Sequence, residues 1–243
     1  MQVQVMSDLH VEFRRDHGRE FFKGLPETDA DVLVLAGDIG LAGLEDSLAD
    51  GLGFAAERFK HVVCVSGNHE YYHGSPTVVT AVMDRLMAKH KNLHWLNKSA
   101  CMIDGQRFLG ATLWFPEPNP LAQKRALNDF HYIKGFEPWV YEEHHAAVKY
   151  LTANIEASDI VVTHHIPTGA VVAQRLRGSR LSEFYASNTL SLDVVGTPKM
   201  WFYGHTHDSS EQVVGGTRLV VNPCGYHGRE TNPNFRTDLV FEV

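Results

Sequence analysis

The chain has 243 residues, of which 22 are Lys or Arg and 29 are Asp or Glu, giving a formal net charge of −7 at neutral pH. Its apolar fraction of 44% is ordinary for a globular protein, so we expect one domain that spans residues 1–243. The acidic balance argues against a protein that coats DNA or RNA, so a nucleic-acid polymer is not an expected partner.

The chain also lacks the marks of membrane insertion or secretion. No run of 18 apolar residues occurs, and residues 1–6 enter an apolar strand without a basic region or the apolar core of a signal peptide. The three cysteines, Cys64, Cys101 and Cys224, have neither metal-ligand spacing nor the pattern of a disulfide framework. We therefore expect a cytoplasmic protein that does not bind a membrane. Histidine is abundant, with 15 residues, which favours metal binding or acid–base chemistry.

The first third of the chain alternates strand and helix patterns. Continuous apolar runs predict buried strands over residues 2–6, 32–36 and 62–66. Apolar residues recur at helical spacing over residues 44–59, although Gly51 and Gly53 weaken that helix. Ser75 and Pro76 are typical of the start of a second helix. This alternation indicates an α/β fold with a largely parallel sheet.

The remaining elements are shorter. Apolar runs predict strands over residues 93–97, 100–103, 107–113, 160–163, 200–203, 211–214, 217–222 and 238–243. Pro138 starts a predicted helix, and Asn188 is predicted to cap a short helix that ends at Gly196. His94 lies within a strand, and the adjacent His144 and His145 point about 100° apart on a helix, so we interpret all three as structural or solvent-facing.

Two long loops remain, over residues 114–137 and 168–187. The first is rich in aromatic, proline and asparagine residues, so it is either a lid or a patch that packs on a neighbouring element. The second carries Arg175, Arg177 and Arg180. These arginines either contact the substrate or keep an exposed loop soluble.

Side chains that can bind metals follow five of the predicted strands. They are Asp8 and His10, Asp38, Asn68 and His69, His164 and His165, and His205 and His207. Each alone is compatible with an ordinary loop, but five at the carboxyl ends of strands indicate a ligand site. Oxygen and imidazole donors without thiolate suit Mn, Fe, Zn, Co or Ni. One cation needs fewer donors, whereas two cations about 3.5–4 Å apart would use them all and clamp a phosphoryl displacement.

The order of these motifs resembles the calcineurin-like metallophosphoesterase superfamily. The motifs are Asp-x-His, Gly-Asp, Gly-Asn-His-Glu, His-His and Gly-His-x-His, and they run from Asp8 to His207. The resemblance implies a four-layer α/β/β/α sandwich, in which two mixed β-sheets are flanked by helices and a dinuclear metal site lies at the carboxyl ends of the strands. It also implies an enzyme that hydrolyses phosphoesters with a hydroxide activated by both metals.

The resemblance further implies a role for each site residue. The first metal would be held by Asp8, His10, Asp38 and His207, and the second by the bridging Asp38 with Asn68, His164 and His205. His69 would be the general acid that protonates the leaving oxygen. His165 would either contact phosphate or fix its neighbour.

Two differences from motifs of other members indicate which part of this superfamily the chain resembles. Leu41 stands where purple acid phosphatases have a tyrosine, and residues 37–43 lack the second acid and the arginine of phosphoprotein phosphatases. The chain therefore resembles the small single-domain bacterial-type phosphoesterases. Three functions stay open: a phosphomonoesterase, a phosphodiesterase acting on cyclic nucleotides or other diesters, and a non-catalytic scaffold of the same fold.

Overall fold

The computed structural model describes residues 1–43, 46–119, 124–179 and 181–243. The strands in these ranges are β1 (Gln2–Met6), β2 (Val32–Ala36), β3 (His61–Val65), β4 (Leu93–Trp95), β5 (Ser99–Ile103), β6 (Gln106–Ala111), β7 (Ile160–Thr163), β8 (Met200–Tyr203), β9 (Ser210–Val214), β10 (Thr217–Val221), β11 (Gly225–Tyr226), β12 (Glu230–Thr231) and β13 (Val240–Glu242). The α-helices are α1 (Arg19–Lys23), α2 (Ser47–Arg58), α3 (Pro76–Lys89), α4 (Asp129–Tyr132), α5 (Phe136–Asn154), α6 (Ser182–Tyr185) and α7 (Leu192–Val195).

Two mixed sheets form the centre of the molecule. The first has the strand order β13-β1-β2-β3-β4, in which β1 to β4 are parallel and β13 is antiparallel to β1. The second has the order β5-β6-β7-β8-β10-β9, in which the inner four strands are parallel and both edge strands are antiparallel. All the parallel strands of one sheet end at the same edge, so the polar residues that follow them are brought together there.

The side chains of each buried strand point alternately to its two faces, and this explains why the two sheets face each other. In β2 every residue is buried, but Val32 and Val34 pack against the second sheet, whereas Leu33 and Leu35 face the helices on the other side. Side chains of a strand point alternately to its two faces, so a continuous apolar run is what a strand covered on both faces requires.

Helices cover the outer faces of both sheets. Leu48 and Leu52 of α2 and Val79 of α3 belong to the apolar cluster outside the first sheet. Ala147 and Leu151 of α5 pack outside the second. Fully burying such a side chain contributes about 1.5–3 kcal/mol, so these contacts hold the layers together. The predicted four-layer α/β/β/α sandwich is confirmed.

Several local predictions need correction. Asn188 does not cap a helix: Ser191 caps α7 by accepting a hydrogen bond from the main-chain N–H of Val194, while the side chain of Asn188 accepts one from Gly169. For residues 114–137, the alternative of a packed segment is borne out at Trp114, which lies in the core, and residues 126–129 later line the site described below; residues 120–123 lie outside the described residues. Strands β11 and β12, which follow β10, were not predicted.

The interpretation of His144 as structural is confirmed, because its ring is buried between the main-chain carbonyl of Leu113 and the hydroxyl of Thr189. Cys64 lies in the core. Within the described ranges, no helix has the length and apolar character needed to cross a bilayer.

Candidate metal centre

The structure brings together the eight side chains predicted to hold metals or donate a proton. They come from the loops after β1, β2, β3, β7 and β8. Five of the seven predicted ligands have φ in the left-handed region: Asp8 (51°), His10 (44°), Asp38 (54°), His205 (70°) and His207 (53°). That conformation costs a residue with a side chain about 1–2 kcal/mol, and such strain concentrates at functional sites. The strain therefore supports a functional role for these loops.

Two glycines make room for the ligands. A Cβ atom on Gly37 would lie 2.4 Å from Nδ1 of His164, and one on Gly67 would lie 2.1 Å from Oδ1 of Asp38. Both contacts are far shorter than van der Waals distance. The glycines of the Gly-Asp and Gly-Asn-His-Glu motifs are thus required because the ligand side chains pass directly over the main chain.

The first ligand group consists of Asp8, His10 and His207. Nε2 of His10 lies 3.2 Å from Nε2 of His207, and that nitrogen lies 3.5 Å from Oδ1 of Asp8. Two donors bound to one cation at about 2.1 Å lie roughly 3.0–3.5 Å apart, so the spacing fits a shared metal ion. Nδ1 of His10 donates to Glu12, which leaves Nε2 with a free lone pair.

The second ligand group surrounds Nε2 of His164. This atom lies 3.1 Å from Oδ1 of Asn68, 3.2 Å from Nδ1 of His205 and 3.4 Å from Oδ1 of Asp38. Nδ1 of His164 donates to the main-chain carbonyl of Ala36, which leaves Nε2 as the nitrogen that can coordinate. One amide oxygen, one carboxylate oxygen and two imidazole nitrogens at these separations fit a shared cation.

Asp38 joins the two groups. Its Oδ2 lies 3.6 Å from Nε2 of His10, and its Oδ1 faces His164 in the second group. Burial, with the carboxylates of Glu70 and Asp8 nearby, holds the pKa of Asp38 well above its usual range in the absence of metal. Bound cations would offset that concentration of negative charge. One carboxylate serving both groups is the arrangement expected of a bridging ligand.

Three buried carboxylates support the ligands from outside, and the sequence reasoning gave none of them a role. Glu70 accepts hydrogen bonds from the main-chain N–H groups of Asp38, Ile39 and Gly67, so it ties the loops after β2 and β3 together. Its position directly after His69 in the Gly-Asn-His-Glu motif could have indicated that Glu70 has a role at the site.

Asp129 orients Asn68. Its Oδ1 accepts from Nδ2 of Asn68 at 3.0 Å and from the hydroxyl of Tyr72 at 2.7 Å. Because the amide nitrogen of Asn68 is used there, its oxygen faces His164 and the second ligand group. Asp129 comes from α4, inside the loop whose role the sequence left open.

Glu12 is the third supporting carboxylate. Its Oε1 lies 3.1 Å from Nδ1 of His10 and 2.9 Å from Nδ1 of His69. Burial raises the pKa of Glu12, but the hydrogen bonds from the two histidines outweigh burial and lower it to about 2. Glu12 is therefore ionised at neutral pH.

His69 lies beside the first ligand group. Its ring stacks on Tyr72 with 4.2 Å between centroids, and its Nε2 lies 3.4 Å from the hydroxyl of Tyr226. Burial lowers the pKa of His69, but the charges of Asp38 and Glu12 outweigh burial and raise it to about 9 in the absence of metal. His69 can thus be protonated at neutral pH, as a proton donor must be.

His165 is placed behind the ligands. It is fully buried, its Nδ1 faces the main-chain carbonyl of Thr112 at 3.3 Å, and its ring packs against His205 at 4.3 Å between centroids and against Trp114. It does not line the cleft described next. This placement favours fixing His205 over contacting phosphate.

A cleft of about 220 Å³ opens over the ligands. Its walls include the rings of Tyr72, Tyr185 and Tyr226. Arg175 also lines it, with Nε donating to Asp208 at 2.5 Å and a second nitrogen donating to the main-chain carbonyl of Thr206.

The other predicted arginine that the structure describes lies away from the cleft wall. The guanidinium of Arg177 donates to the main-chain carbonyls of Val172 and Ala170, within its own loop, and Arg177 is not part of the wall. Arg180 lies outside the described residues. Of the two described arginines, Arg175 is the one placed where it could meet a substrate at the metals.

Comparisons with known proteins agree with this fold. A sequence model of calcineurin-like phosphoesterases matches residues 1–209. An uncharacterized protein of Acanthamoeba polyphaga mimivirus is 25% identical over 265 aligned residues, covering 96% of this chain and 94% of the relative. Among solved structures, a phosphopantetheinyl hydrolase from Mycobacterium tuberculosis has a TM-score of 0.76 at 18% identity, covering 100% of this chain and 95% of that chain. A Thermus thermophilus protein has a TM-score of 0.58 at 14% identity, covering 91% of this chain and 88% of that chain.

Proposed function

This chain belongs to the calcineurin-like phosphoesterase family of metal-dependent hydrolases, and on that premise we propose that it cleaves phosphoesters with two divalent cations and with His69 as general acid. The observation that carries the proposal is the pair of ligand groups that share Asp38. A scaffold protein would have no reason to keep seven strained or buried ligands in this arrangement.

The residues that would hold the cations are those predicted from the sequence. Asp8, His10, His207 and Asp38 would hold the first, and Asn68, His164, His205 and Asp38 the second. When bound, two such cations lower the pKa of water and neutralise charge on the phosphoryl group.

The chain itself supplies the proton for the leaving oxygen. Nδ1 of His69 is held by Glu12, so Nε2 is the nitrogen directed toward Tyr226 at the cleft. A protonated imidazole in this position can donate to the departing oxygen. General acid catalysis of this kind contributes about 10²–10⁴-fold in rate.

The cleft would orient the rest of the ester. Tyr185 and Tyr226 offer aromatic faces to a base or an apolar leaving group, and Arg175 offers a cation to its polar parts. The M. tuberculosis neighbour is described as a phosphopantetheinyl hydrolase. At 18% identity the likeness shows the fold alone, so a phosphopantetheinyl ester is one substrate to test among several.

A metal-reconstitution screen tests the proposal. Protein stripped with EDTA is reloaded with Mn, Fe, Zn, Co or Ni and assayed on aryl phosphate monoesters and diesters, nucleotides, cyclic nucleotides and a phosphopantetheinyl ester. We expect about two metal ions per chain by elemental analysis and activity that EDTA abolishes. Protein that binds metal but cleaves no ester, or that cleaves regardless of EDTA, would overturn the proposal. The relative rates on monoesters and diesters then assign the substrate class.

A further inference from the structure

Glu12 contacts both a predicted metal ligand and the predicted general acid. Its Oε1 accepts from Nδ1 of the predicted metal ligand His10 and from Nδ1 of the predicted general acid His69. We propose that Glu12 is a positioning residue that fixes the tautomer and orientation of both imidazoles. The inference rests on the proposed function for its catalytic consequence, but not for its geometry.

The hydrogen bonds of Glu12 determine where each ring nitrogen points. A carboxylate is only an acceptor, so both Nδ1 atoms must carry a proton. Nε2 of His10 is then free to coordinate a cation, and Nε2 of His69 is turned toward the hydroxyl of Tyr226 at the cleft. One oxygen atom thus directs Nε2 of both rings, the proposed ligand and the proposed proton donor.

The surroundings of Glu12 argue against a purely structural role. Its side chain is only 5% exposed, and within the described ranges Oε2 has no hydrogen-bond partner. Leaving a buried carboxylate oxygen without a partner is unfavourable for folding. The hydrogen bonds of the carboxylate go to the two histidines, one in its own loop and one in the loop after β3. A residue kept for packing would be better apolar.

The substitution Glu12→Gln tests this role with little change of shape. The amide oxygen can still accept hydrogen bonds but lacks the negative charge that strengthens those from both imidazoles. Because loss of an outer partner of a metal ligand typically costs 10–100-fold, we expect kcat to fall by about that factor on esters with poor leaving groups. On p-nitrophenyl esters, whose leaving group needs no proton, the fall should be smaller, and KM should change little.

Two further variants separate positioning from general charge effects. Glu20→Gln removes the same charge from an exposed side chain of α1 and should behave as wild type. In a His69→Asn background, Glu12→Gln should add no further dependence on the leaving group, because the residue through which it acts is gone. The inference fails if Glu12→Gln retains the leaving-group dependence and metal content of Glu20→Gln.

A second measurement does not depend on activity. Long-range ¹H–¹⁵N spectra of the metal-free protein report which ring nitrogens carry protons. We expect a protonated Nδ1 on both His10 and His69 in wild type, with both signals moved by Glu12→Gln and neither by Glu20→Gln. An unprotonated Nδ1 on either ring in wild type would overturn the inference. If instead the spectra agree but no ester is cleaved, the proposed function fails while the positioning role stands.

Discussion

The two ligand groups of the proposed metal centre are held in place by different partners. In the first group, His10 is held by the ionised carboxylate of Glu12, which also holds His69. In the second, His164 is held by the main-chain carbonyl of Ala36, and Asn68 by Asp129. The first group is therefore linked electrostatically to the proposed proton donor, whereas the second is anchored to the core. Changes to these supports should accordingly affect both metal binding and proton transfer in the first group, and metal retention alone in the second.

Asp38→Asn should have the largest effect, because Asp38 is the one ligand that the two groups share. The amide keeps the volume but loses the charge needed to bridge two cations. We expect metal content to fall at both sites and kcat/KM to fall by about 10³-fold or more, which corresponds to the several kcal/mol that metal ions contribute to such reactions. Elemental analysis and the hydrolysis assay measure the two effects. Full occupancy of two metals in Asp38→Asn would contradict the bridging role.

His69→Asn should have the second largest effect, and it should impair proton transfer without loss of metal. We expect both metals to be retained and kcat to fall by about 10²–10⁴-fold on alkyl esters, with a smaller loss on p-nitrophenyl esters. Loss of metal from His69→Asn would instead make His69 a ligand, a role that its distance from His10 and Asp38 also permits.

The pH dependence of kcat in wild type and in His69→Asn tests the same role of His69 in a second way. A general acid must be protonated, so kcat should fall as the pH rises through the pKa of His69. That pKa is raised to about 9 without metal, by Asp38 and Glu12 acting against burial, and bound cations lower it because they disfavour the imidazolium. Wild type should therefore lose activity on alkyl esters along an alkaline limb at or below about pH 9. This limb should be absent from His69→Asn.

The sequence predicts the metal ligands better than it predicts the side chains that hold the site in place. The ligands follow contiguous apolar runs, and parallel strands gather their carboxyl ends at one edge, so local patterns were enough to find Asp8 or His164. The supports depend on contacts between distant segments. Glu12 meets His69 across 57 positions, and Tyr226 meets it across 157. Neither the spacing of apolar residues nor turn residues predict a contact between positions so far apart in the sequence.

The loop predictions show the same limit. Arg175 and Arg177 looked equivalent in the sequence, but Arg175 is placed in the cleft wall and Arg177 is not, because the guanidinium of Arg175 is drawn toward Asp208 and Thr206 beside the ligand loop of β8. Loop conformation depends on a few such hydrogen bonds rather than on burial of a periodic apolar face.

Asp129→Asn tests the anchored group. Without the carboxylate, the amide of Asn68 is no longer fixed with its oxygen toward His164. We expect about 10–100-fold weaker binding of one of the two metals, the usual cost of losing an outer partner, with the other metal unaffected. Calorimetric titration of the metal-free protein would resolve the two sites.

Tyr72→Phe gives a comparison. It removes the hydroxyl that donates to Asp129 and accepts from Asn68, but leaves the contact between Asp129 and Asn68 in place. Its effect on metal affinity should be smaller than that of Asp129→Asn. Equal affinities of both metals for Asp129→Asn and wild type would show that Asn68 is held by something other than Asp129.

The smallest effect is expected from Arg175→Ala, which alters the cleft wall and neither ligand group. The Arg175 side chain is 50% exposed and already paired with Asp208, so solvent screens much of its charge. If Arg175 contacts substrate, its removal should raise KM by about 3–10-fold, within the ~0.5–1.5 kcal/mol that a typical hydrogen bond contributes, and should leave metal content unchanged. Arg177→Ala removes the same charge from the same loop, but its guanidinium is bound to the main chain away from the cleft. It should therefore keep the wild-type KM. Equal KM values for the two variants on the best substrate would show that this loop contributes only charge, and would place selectivity in the wall formed by residues 126–129.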